Sequence, residues 1–132
     1  MGINELKKCS MDDFHSLVND SGIFLNEEFN IDELARLIGV QTYLISSFLS
    51  IKLGISFSDF KNKLRIDYSI IKINEGYLNR HTTESLARTC GFKSRAHFSK
   101  VFKQVIGVSI KEINQNKNRY LLESKNTLIF RH

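Results

Sequence analysis

The sequence predicts an all-α fold, two helix-turn-helix subdomains joined by a long linker helix. Three observations point there. Apolar residues recur with the helical period nearly throughout, a helix–turn–helix unit occurs twice, and Gly, Ser, Thr and Asn supply every break in a chain that has no proline.

Phe14, Leu17 and Val18 give a short apolar face over Asp12 to Asn19, closed by Gly22. Asn30 with Glu33 forms a capping pair ahead of Ile31, Leu34, Ala35 and Ile38, so a short helix runs from Asn30 to Gly39. Gln41 to Leu53 follows, apolar at Leu44, Ile45, Phe48, Leu49 and Leu53, with Gly54 as its stop. Ser56 opens the longest run, through Phe60, Leu64, Tyr68 and Ile71 towards Gly76, about 30 Å of helix. Thr82 or Thr83 caps a short helix to Cys90, Ser94 caps one to Val105, and Ser109 with Glu112 caps the last. The amide-rich run Asn114 to Arg119 reads as a linker or frayed end, and Tyr120 to Phe130 as either a hairpin or a docking tail.

A length of 132 residues allows one compact domain or two very small ones, and 42% hydrophobic residues exclude a disordered chain. No apolar run approaches the ~20 residues of a membrane helix, and the start shows no basic-then-apolar signal, so a cytoplasmic location is expected. Cys9 and Cys90 then read as reduced thiols, and Cys90 as a small core residue. Residues 1–60 hold 4 basic and 9 acidic side chains, a balance of −5, whereas residues 61–132 hold 15 and 5, a balance of +10. A basic half is the surface a polyanion would meet, because Lys and Arg release the counterions condensed on phosphates.

The repeat sharpens this reading. Leu34-Ala35-Arg36 and Gly39 recur 52 positions later as Leu86-Ala87-Arg88 and Gly91. Beyond the turn the offset becomes 53, pairing Ile45 with Phe98, Leu49 with Phe102 and Gly54-Ile55-Ser56 with Gly107-Val108-Ser109. In each copy an alanine permits close helix approach and a glycine makes the turn. Positions four apart bury one face of the second helix and leave the other free. The free face of the first copy carries Gln41, Thr42, Tyr43, Ser46, Ser47 and Ser50; that of the second carries Lys93, Arg95, Ala96, Ser99, Lys100 and Lys103. Small polar and basic residues at a helix N-terminus suit base edges and flanking phosphates of a major groove. The plain alternative is a pair of amphipathic hairpins exposing a polar surface.

From about Phe24 to Ile113 the chain resembles the DNA-binding domain of AraC/XylS-family transcription regulators. The resemblance rests on Leu34-Ala35 with Gly39, Gly54-Ile55-Ser56-Phe57 through Phe60, Leu64-Arg65-Ile66, and above all Gly91-Phe92, Phe98-Ser99-Lys100-Val101-Phe102-Lys103 and Gly107-Val108-Ser109. It implies a lead-in over 1–23, a first helix-turn-helix subdomain over 24–60, a linker helix over 56–76, a second subdomain over 80–114 and a tail over 115–132. It further implies that each second helix enters a major groove; the ~30 Å of the linker helix, close to the ~34 Å repeat of a DNA turn, lets the two enter successive grooves. Base contacts then fall on Tyr43, Ser46, Ser47, Arg95, Ala96, Ser99 and Lys100. Phosphate contacts fall on Gln41, Thr42, Lys52, Lys93, Ser94 and Lys103. The implied partners are double-stranded DNA and RNA polymerase, with activation more usual than repression. The chain departs from the family at Ile110, where Pro is usual, at Ile113-Asn114 in place of Tyr-Arg, and at Ser69 in place of Ala.

An enzyme is not expected. His15, His81, His97 and His132 are scattered, and no zinc, metalloprotease or phosphate-loop spacing occurs, so neither metal nor cofactor is implied. Asp12-Asp13 and Glu27-Glu28 are explained by the dipoles of helices that start there. His97 and Phe92 are expected in packing roles. The short span before Phe24 leaves no room for an effector-binding domain of the family's kind, so the chain is a minimal regulator or part of a longer one. The rival class is a protein-interaction module that keeps the fold without reading DNA.

Overall fold

The computed structural model describes residues 6 and 8–116. The expected tail over Tyr120 to Phe130 and residues 117–119 of the linker before it lie outside the described residues, while Asn114 and Gln115 of that linker belong to the last helix. Every described element is helical. The chain forms two compact units that divide at Lys61–Asn62.

In the first unit, α1 (Met11–Ser21) begins at Ser10, whose Oγ accepts the Asp13 N–H at 3.1 Å, and ends at Gly22 in the left-handed region. A 3₁₀ turn, Ile23–Leu25, buries Phe24. Next come α2 (Ile31–Ile38), capped by Asn30 Oδ1 accepting the Glu33 N–H at 2.9 Å, and α3 (Thr42–Leu53), with a bend of 96° between them. That angle is the one a helix-turn-helix makes. The acids expected at the α2 start are misplaced in the sequence reading. Glu27 and Glu28 occupy a turn, where the Glu28 N–H donates to Asn26 Oδ1, and the first-turn acids of α2 are Asp32 and Glu33. Aromatic rings fill this core: Phe14 lies 4.7 Å from Phe48 and 5.5 Å from Phe60 by centroid, so α1 is tied to α3 and to the start of the helix that follows it.

Helix α4 (Phe57–Asn74) follows its Ser56 cap and is 18 residues long, about 27 Å. It is shorter than the Ser56-to-Gly76 run expected from periodicity, because Gly76 at φ 88° diverts the chain into a second 3₁₀ turn, Tyr77–Asn79. The second unit takes Ile66, Ile70 and Ile73 from α4 and packs them with Leu86, Ala87, Phe98, Phe102, Ile110 and Ile113. These last belong to α5 (Thr83–Thr89), α6 (Arg95–Ile106) and α7 (Ile110–Gln115). The Tyr77 hydroxyl bonds Ser85 Oγ at 2.7 Å and Thr89 Oγ1 at 3.1 Å, clamping the turn to α5. Departures from the family pattern are absorbed here. Ile110 and Ile113 are buried in the core, Ser109 caps α7 normally, and the buried Ser69 hydroxyl donates to the Ile66 carbonyl one turn back at 2.6 Å.

Candidate nucleic-acid interface

In the second unit the turn between α5 and α6 is built by Gly91 at φ 93° and by the Phe92 N–H donating to the Ala87 carbonyl at 2.9 Å. Phe92 is buried, as expected, with its ring 5.1 Å from Phe98. Ser94 caps α6 by accepting the His97 N–H at 3.1 Å. Phe98, Val101 and Phe102 turn α6 inward, so Arg95, Ala96, Lys100 and Lys103 stand exposed on the opposite side with Ser99 half-buried beside them. His97 is exposed, and its ring meets Phe92 edge-on at 5.6 Å, so its packing contact is at the rim rather than inside.

Beside this stripe lies a cleft of about 540 Å³ between α6, α7 and the approach to α5. Arg95, Ser99 and Lys103 line one wall, Lys111 and Ser109 another, and His81, Thr82 and Thr83 a third. No Asp or Glu lines it. Three cations around a solvent-open recess attract an anion, and Arg95 and Lys103 join the helix stripe to it. Lys111 and His81 were not singled out from the sequence; the sign that marks Lys111 is a cation one position inside a capped helix start. The His81 ring is held by stacking on Tyr77 at 4.2 Å.

The first unit presents a different surface. Gln41, Tyr43, Ser46, Ser47 and Ser50 are exposed along one side of α3, while Ile45 and Leu49 are buried. Tyr43 is 60% exposed. A cleft of about 660 Å³ runs past Gln41, Thr42 and Tyr43 and includes Asp32 and Arg36 of α2. Lys52 stands apart from this group, in the last turn of α3 and about 15 Å along the helix from its start. Ile51, in that same half of the helix, is 80% exposed, an apolar position that the repeat had not flagged.

Cys90 is fully buried, and burial pushes its thiol up to about 12, so it is a packed core group rather than a nucleophile. No group of three or more His, Cys, Asp or Glu side chains that would hold a metal occurs among the described residues. No single helix among them is long and apolar enough to cross a membrane.

A duplicated helix-turn-helix with an open second helix defines the class of helix-turn-helix proteins. Residues 82–113 match the family of bacterial regulatory helix-turn-helix proteins, AraC family. That match falls on the second helix-turn-helix of this chain, α5 to α7. Among solved structures, the C-terminal domain of AraT, a response regulator from Geobacillus stearothermophilus, matches with a TM-score of 0.63 at 19% identity, covering 78% of this chain and 84% of that one. The all-helical fold is thus similar to that of this C-terminal domain. No curated protein matches the chain in sequence.

Proposed function

We propose that the chain is a sequence-specific DNA-binding transcription regulator of the cytoplasm. Two subdomains, over 24–60 and 80–114, are joined through the helical segment 56–76, and each lays its second helix in a major groove. The observation that carries this reading is the acid-free, cationic cleft continuous with the exposed stripe of α6. Arg95 donates bidentately to guanine, Ala96 meets a thymine methyl, and Ser99 and Lys100 reach neighbouring base edges or the adjoining backbone. Lys93, Ser94, Lys103 and the newly found Lys111 hold phosphates. On α3, Tyr43, Ser46 and Ser47 face the bases and Thr42 the backbone. Activation through contact with RNA polymerase is the regulatory role taken from the family.

Selection of bound sequences from random duplex DNA, at two salt concentrations and with wild type beside Arg95→Ala, tests the reading. The expected result is a motif of two blocks, with a guanine column lost in the variant and affinity falling steeply with salt. A motif-free result, together with a salt-insensitive complex with another protein that is indifferent to Arg95→Ala, would replace it with the protein-interaction reading.

A further inference from the structure

The two units carry the same helix-turn-helix framework, and the hydrogen bonds of their turns fix the register between them. The Phe92 N–H donates to the Ala87 carbonyl at 2.9 Å and the Val40 N–H to the Ala35 carbonyl at 3.1 Å, so Phe92 and Val40 correspond. Gln41 and Ser94 hold the positions just ahead of α3 and α6, which makes Lys93 the residue inserted in the second turn. From there the offset is 53, through Gly54 with Gly107 and Ser56 with Ser109. Along that register each Lys or Arg of α6 and α7 has a hydroxyl residue in its place in the first unit. Arg95, Lys100 and Lys103 correspond to Thr42, Ser47 and Ser50, and Lys111 corresponds to Ser58. All four cations are exposed, as are Ser47, Ser50 and Ser58.

The first unit does have cations after α1, and they sit elsewhere. Arg36 shares its cleft with Asp32, and it recurs in the second unit as Arg88, so it does not set the units apart. Lys52 is in the last turn of α3. Lys61, at the place of Asn114, holds its Nζ 6.0 Å from the centroid of the Phe57 ring. In the second unit, by contrast, Arg95 and Lys103 of α6 and Lys111 of α7 converge on one cleft with Ser99, Ser109 and no acid. Like charges gathered in one recess repel, a cost that a bound anion removes.

Resting on the DNA-binding reading above, we infer that the second unit is the chain's ionic anchor on the DNA backbone, its cleft seating a phosphate at Lys103 and Lys111, whereas the matching surface of the first unit meets the backbone through hydroxyls. A lysine that neutralises a phosphate releases condensed counterions, and that release makes binding depend on salt. A serine hydroxyl donating to a phosphate oxygen positions the protein and leaves the phosphate charge as it was. The salt dependence of binding therefore comes from the second unit. Raising salt weakens the hold of that unit and leaves the contacts of Ser50 and Ser58 unaltered.

The test uses the full chain and the duplex that wild type selects, with affinity followed by fluorescence anisotropy as salt rises fourfold. Lys111→Ala flattens the slope of log affinity on log salt by about one, so that wild type loses about 3-fold more affinity than the variant over the range. Lys111→Arg restores the slope, and the selected motif is the same in all three. Ser50→Ala weakens binding equally at every salt concentration. Ser58→Lys, which sets a cation at the place of Lys111 in the first unit, steepens the slope by about one. These side chains are exposed, and melting temperatures equal to that of wild type show that the variants are folded. An unchanged slope in Lys111→Ala or Ser58→Lys, or a slope flattened by about one in Arg36→Ala or Lys52→Ala, overturns the inference and leaves DNA binding standing. Inorganic phosphate replacing chloride at constant ionic strength leaves wild-type binding unchanged; displacement of the duplex, resisted by Lys111→Ala, would make the cleft a site for free phosphate and overturn the inference too. Failure of wild type to bind any duplex overturns the DNA-binding reading itself, and this inference with it.

Discussion

Asp67 sits on α4 at 9% exposure, and its Oδ1 has no hydrogen-bond partner. Burial pushes its carboxyl up from 3.8 to about 6. Between those values the folded chain holds a proton that the unfolded chain has released. Stability contributed by this group is therefore complete below about pH 4, falls as pH rises to about 6, and is flat above. A shift of this size corresponds to about 3 kcal/mol. Asp67→Asn keeps the shape of the protonated acid and cannot ionise, so at pH 7 it should be more stable than wild type by up to about 3 kcal/mol, with the gap closing by pH 4. Urea unfolding followed by circular dichroism at half-unit steps from pH 4 to 8 measures it. His15 contributes with the opposite slope: burial lowers its pKa, against opposing pulls from Asp12 and Asp20, so its share is complete above the ordinary histidine value and is lost as pH falls below it through the lowered one. The difference between the two proteins removes that share. Parallel pH profiles, or an Asp67→Asn chain less stable at pH 7, would refute the argument that burial makes this carboxyl costly to ionise.

Phe98 is fully buried between Phe92 and Phe102, so Phe98→Ala should cost about 3–5 kcal/mol in chemical denaturation and loosen α6 as a whole. Ser94→Ala removes the cap of α6 and should cost about 1 kcal/mol, seen as a lower unfolding midpoint and faster amide exchange in its first turn. In the folded chain at pH 8, Cys90 should resist iodoacetamide while the half-buried Cys9 reacts first; Cys90 labelling should appear only with denaturant, as read by mass spectrometry of peptides.

The helices were legible in the sequence because their signals are local. Asn30 with Glu33, Thr82, Ser94, and Ser109 with Glu112 announced starts that the structure places within a residue, and the four-apart pairs Ile45/Leu49 and Phe98/Phe102 are all fully buried. The end of α4 was less legible. Apolar spacing continues to Ile73, and a left-handed Gly76 with the Tyr77 clamp, not a change in periodicity, stops the helix.

The sequence by itself determined the helical class, the duplication and which face of each second helix stays free, since these depend on residue order over one or two turns. Only the tertiary structure decided which charges meet. Lys111 and His81 lie on segments distant in order from Arg95, and packing of α7 and the Tyr77 turn around α6 brings them to one cleft. The same holds for Asp67, an ordinary acid on a helix in the sequence, whose carboxyl becomes hard to ionise because the fold buries it. Burial and convergence are sums over neighbours that the chain order does not contain.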